Sequence, residues 1–134
     1  MPSQDQDEPT LLLLQHASAW GAPSLAVECT QAHALLKIAT ATYAALNAND
    51  AQAPWAHQLP LLRIGARTVE HSDIGAELKA AGYDTDAHLD ATQRAESLAY
   101  AALAEERLGI ALLHAQWADD DNFAAATKPA YSAR

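Results

Sequence analysis

Apolar residues along the chain change their period several times, and each change marks an element. The run Thr10–Gln15 (TLLLLQ) is continuously apolar and too short for a helix, so it predicts a strand buried on both faces. Trp20-Gly21-Ala22-Pro23-Ser24 reads as a loop ending at a helix start, with Ser24 as the cap. Leu25, Ala26, Cys29, Ala32, Leu35 and Leu36 then recur at helical spacing, predicting a helix to about Ala34. Lys37–Tyr43 (KIATATY) alternates with period two and carries two Thr, which predicts a strand. Asn47–His57 (NANDAQAPWAH) is rich in turn formers and reads as a loop.

Leu59-Pro60-Leu61-Leu62-Arg63-Ile64 leads into another strand, Gly65-Ala66 into a hairpin turn, and Arg67–Glu70 into its partner strand. Ser72-Asp73 is placed to cap a short helix, Ile74–Ala81, that stops at Gly82. Tyr83–His88 links this helix to a long one beginning near Leu89. The predicted order is β-α-β, then β-β-α, then helix: the thioredoxin-like α/β layout, one mixed sheet covered by helices. The expected domains are an acidic flexible lead-in over residues 1–9, a thioredoxin-like domain over 10–82, and a truncated helical domain over 83–134. A tail containing Pro129 follows the polar cluster after Trp117 and leaves the helical bundle unfinished.

The long segment Gln93–Trp117 has no Pro and is rich in Ala, Leu, Glu and Arg, strong helix formers. On a helix, Ala95, Leu98, Ala99, Ala102, Leu103, Ile110, Leu113 and Trp117 form one stripe, which Ala101, Leu108 and Leu112 extend around one side. Glu96, Tyr100, Arg107 and His114 make the opposite, wet strip. An arc this wide predicts packing on two sides, with one face against the preceding domain and the other against more helix or another protein. Glu106 falls near the centre of the arc. It reads either as a side chain reaching to water or as a carboxylate paired inside an interface; the cost of burying an unpaired carboxylate favours the first.

Half of the 134 residues are hydrophobic, so the chain folds around a core, and a formal net charge of −9 argues against binding a phosphate backbone. The single cysteine excludes an internal disulfide framework and fits a reducing compartment. No apolar run reaches the length of a bilayer span, and the acidic opening MPSQDQDEP is neither presequence nor secretory signal. His16, His33, His57, His71, His88 and His114 are scattered without zinc-type spacing, and read as surface and loop residues. Asp119-Asp120-Asp121 lacks the alternation of a calcium loop and reads as a solvated end. The isolated glycines make no phosphate-cradling loop. No metal and no cofactor are expected.

Several motifs together resemble the metaxins. They are Trp20-Gly21-x-Pro23-Ser24, Ser24-Leu25-Ala26-Val27, Leu59-Pro60-x-Leu62-Arg63 and Gln93-x-Ala95-Glu96-x-x-Ala99-Tyr100. Glu105-Glu106-x-Leu108, His114-x-x-Trp117-x-Asp119-x-x-Asn122-Phe123 and Thr127-Lys128-Pro129-x-Tyr131 continue the likeness, which spans nearly the whole chain from Thr10. The resemblance implies a glutathione-transferase-like architecture on the cytosolic face of the mitochondrial outer membrane. It further implies a non-catalytic subunit of the sorting and assembly machinery that inserts β-barrel precursors. Typical members run well beyond this length, so the chain reads as a short form or an N-terminal part of such a protein.

That architecture makes a glutathione-dependent transferase or thiol-handling enzyme the rival reading. Such an enzyme needs an activating hydroxyl or thiol near the end of the first strand, and a Ser opening the helix after the hairpin. Ser72 stands where the second would be, preceded by His71 where the enzymes commonly have Glu or Gln; the helix-cap reading of Ser72 is favoured over the binding one. Pro60 matches the cis-proline of thioredoxin-like folds. Ser18 and Ser24 are the candidate hydroxyls, neither with an activating neighbour, and Cys29 lies about a turn too far along and reads as a buried small hydrophobe. The site is therefore vestigial and catalysis is not expected. The expected role is docking to protein subunits through the side of the long helix bearing Ala101, Leu108 and Leu112, with membrane association through those partners. An accessory scaffold subunit of another mitochondrial membrane assembly is the third alternative.

Overall fold

The computed structural model describes residues 11–48 and 59–132. The chain divides into two compact units, Met1–Thr85 and Asp86–Arg134. The expected lead-in and most of the expected loop Asn47–His57 lie outside the described residues.

The first unit is built on β1 (Leu11–Gln15). It pairs in parallel with β2 (Tyr43–Asn47), and antiparallel with β3 (Leu61–Ile64), which pairs antiparallel with β4 (Arg67–Glu70). The result is a small mixed sheet in the order β2-β1-β3-β4, compatible with a thioredoxin-like α/β domain. Register sets Leu13 opposite Leu62, and Leu62 opposite Val69, so one apolar row crosses three strands. Onto that face pack Ala32 and Leu36 of α1 (Val27–Ile38) and Ile74 and Leu78 of α2 (Ile74–Ala80), which with Leu11 complete the main core. β1 is not buried on both faces as its run of leucines predicts: Leu11, Leu13 and Gln15 are buried, while Leu12 and Leu14 are half-buried. Successive side chains point to opposite faces of a strand, so burial alternates even where hydrophobicity does not.

The hairpin lies where the pattern places it, with Gly65 and Ala66 between β3 and β4. The largest correction concerns Lys37–Tyr43. α1 does not end near Ala34 but continues to Ile38, and the strand is Tyr43–Asn47. The helix stops at Thr40, which takes φ of 53° while its N–H donates to the Lys37 carbonyl and the Ala41 N–H to that of Leu36. This pair of bonds is a Schellman motif, in which the last carbonyls of a helix bond back from a residue in the left-handed region. α2 ends in the same way. Gly82 has φ of 95°, its N–H donates to Lys79, and the Tyr83 N–H donates to Leu78, with Tyr83 packed on the core.

Two expected caps also differ. Ser24 precedes α1 by too much to cap it; Ala26 holds that position without a side-chain bond. Ser72 lies in a 3-10 turn over His71–Asp73, and Asp73, at the cap of α2, makes no side-chain cap bond either.

The second unit opens with α3 (Ala91–Leu113), whose start is set by Asp90 rather than Leu89. The Asp90 carboxylate accepts from the Gln93 N–H at 2.8 Å, and the Gln93 side chain accepts from the Asp90 N–H at 3.0 Å. This reciprocal pair is a capping box. A wider π-type turn over His114–Ala118 follows, and Asp119 caps the next segment by accepting from the Asn122 N–H. The tail after Trp117 is helical: α4 (Asp120–Asn122), a second π-type stretch (Phe123–Thr127), and α5 (Lys128–Ser132), which contains Pro129. Trp117 explains the order, since its ring lies 6.1 Å from that of Phe123 and 5.0 Å from that of Tyr131, tying the three segments together.

The two Schellman ends share a preference for glycine that opposite substitutions read out. A β-branched residue in the left-handed region is strained by about 1–2 kcal/mol, part of which glycine's chain entropy offsets. Thr40→Gly should therefore stabilise the protein by about 0.5–1 kcal/mol, and Gly82→Thr should destabilise it by at least about 1 kcal/mol, both read by urea denaturation.

Candidate functional site

Sheet register brings the expected site residues to one end of the first unit. Leu14 pairs with Leu61 and Leu61 with Glu70, so the exit of β1, the entry of β3 and the exit of β4 share that end. Pro60, just before β3, is buried there, and the Leu59–Pro60 peptide is cis. Ser72 follows β4 and is exposed in its 3-10 turn. The loop between β1 and α1 leaves the sheet at the same end and carries Ser18, which is exposed, and Ser24, which is buried.

The Ser24 hydroxyl donates to the His16 carbonyl at 2.7 Å and accepts from the Ala26 N–H at 3.3 Å. Its donor is thus committed to the backbone of its own loop, and its role is to fold that loop. Cys29 is buried against Leu59 and Leu61, in a small apolar cluster with no access to solvent. Sequence spacing identified that burial correctly.

The polar centre of this end is Gln15, the last residue of β1, and it was not among the expected site residues. Its amide NH2 donates to the Pro23 carbonyl at 3.3 Å and to the Asn47 side-chain oxygen at 3.0 Å. Its carbonyl oxygen contacts Nε2 of His33, and Nδ1 of His33 lies 2.7 Å from the Tyr43 hydroxyl. The Pro23 carbonyl can only accept, which fixes the orientation of the Gln15 amide. The Gln15 oxygen can only accept as well, so His33 carries its proton on Nε2 and takes the Tyr43 proton on Nδ1. One side chain thereby joins the β1–α1 loop, α1 and the edge strand β2. Gln15 and Ser24, the buried polar residues at the position where a transferase would hold its activating hydroxyl, are thus occupied by structure.

His33 corrects the reading of the histidines as surface and loop residues. It stands on α1, half-buried, one helical turn after Cys29. That spacing from a residue of the apolar face was the signal available in the sequence. Burial, and then the positive charge of Lys37, hold its pKa below the ordinary value, while burial raises that of Tyr43.

In the second unit, Ala101 and Leu108 are exposed and Leu112 is half-buried. No residue of α3 is buried. Glu106 is exposed. Among the described residues, no helix is long and apolar enough to cross a membrane.

A depressed histidine pKa has a definite sign in stability. Between the folded pKa and the ordinary value of 6.5, the unfolded chain binds more protons than the folded one. The stabilisation is fully present above pH 6.5 and is lost as pH falls through the folded pKa of His33. Urea denaturation between pH 5 and pH 8 should show this loss, and His33→Gln should flatten it. Gln15→Ala should cost about 1–3 kcal/mol at neutral pH, because it removes three part-buried hydrogen bonds, one of them to half-buried His33.

Residues 29–134 match the family model described as outer mitochondrial membrane transport complex protein, Tom37. The chain is 33% identical over 119 residues to Metaxin-3 of Xenopus laevis, covering 86% of this chain and 38% of that protein. It is 32% identical over 122 residues to Metaxin-1 of Sus scrofa, covering 87% and 37%. To Metaxin-3 of Danio rerio it is 40% identical over 65 residues, covering 48% and 21%. The chain thus spans less than two-fifths of the length of these relatives. With a family match reaching across both units and these identities alongside it, the chain belongs to the metaxin family.

Proposed function

We propose that this chain is a non-catalytic docking subunit of the sorting and assembly machinery, on the cytosolic face of the mitochondrial outer membrane, where it supports β-barrel insertion. The observation that carries this reading is the metaxin similarity over 86% of the chain, together with a family model described as an outer-membrane transport complex protein. The architecture we assign is glutathione-transferase-like, with a thioredoxin-like domain over residues 10–82 and a helical domain over 83–134. The sheet order, the cis bond before Pro60 and the long α3 support that assignment. Membrane association goes through protein partners.

Docking uses the side of α3 that carries Ala101, Leu108 and Leu112. Its support is exposure: two of the three side chains stand open to solvent on one strip of a regular helix. A glutathione-dependent enzyme is the second reading, favoured by Pro60 and Ser72 converging on one end of the sheet. Against it stands the chemistry of that end, where the Ser24 hydroxyl and the Gln15 amide are consumed by loop and strand contacts.

Affinity purification of the tagged chain from gently solubilised mitochondria separates these readings. The expected result is recovery of the outer-membrane barrel-insertion core. Leu108→Asp with Leu112→Asp should reduce that recovery by at least about tenfold, while circular dichroism shows the helix intact. Recovery of a different assembly favours the scaffold alternative. Saturable glutathione binding with transfer activity overturns the non-catalytic reading.

A further inference from the structure

We draw no further inference here: the strongest candidate, the exposed indole of Trp20, held at φ of 54° in the tight turn of the β1–α1 loop, carries nothing, because nothing in the structure shows what covers it.

Discussion

β1 has sheet neighbours on both sides, and the first unit depends on that position. Its five residues pair with β2 in one direction and β3 in the other, so its register decides which side chains meet the helices and which end of the sheet each loop reaches. Leu11 and Leu13 face α1 and α2 and anchor the main core. A slip of one residue would exchange them for Leu12 and Leu14, which are apolar too. Hydrophobicity alone therefore does not hold this register. Gln15 does, because only one alignment brings its amide to Pro23, Asn47 and His33 together. A polar residue closing an otherwise uniform apolar strand supplies specificity where four leucines cannot.

The same contacts decide what the end of the sheet can do. In a glutathione-handling enzyme that end must present a polar group with spare hydrogen-bonding capacity to a substrate. Here Gln15 spends its amide on three elements, Ser24 spends its donor on His16, and Cys29 is sealed among leucines. Pro60 and Ser72 still lie at that end. A layout compatible with a thioredoxin-like domain is kept while these polar atoms maintain the fold.

How much of this was legible in the sequence follows from which forces act locally. The hairpin at Gly65 and the stop at Gly82 were readable, because glycine signals its backbone conformation directly. The end of α1 was not, since Thr40 performs the same turn without the residue that advertises it, and KIATATY then imitates a strand. Ser24 and Ser72 had the right chemistry for caps, but tertiary contacts placed the helix starts elsewhere. Asp90 was missed although Asp-x-x-Gln is a local signal, because the apolar pattern drew the boundary to Leu89. Gln15 could not have been found, because its partners lie as far as 32 residues away and only the folded register brings them together.

α3 poses a different problem of physical economy. Its start is fixed by a capping box and its far end by the Trp117–Phe123–Tyr131 aromatic group, so the helix is defined at both ends. Between them it exposes more leucine and isoleucine than a solvated helix needs. Exposed apolar area of that kind is characteristic of surfaces that become covered. Glu106 stands within it and is exposed, which keeps its carboxylate in water where burial without a partner would cost most.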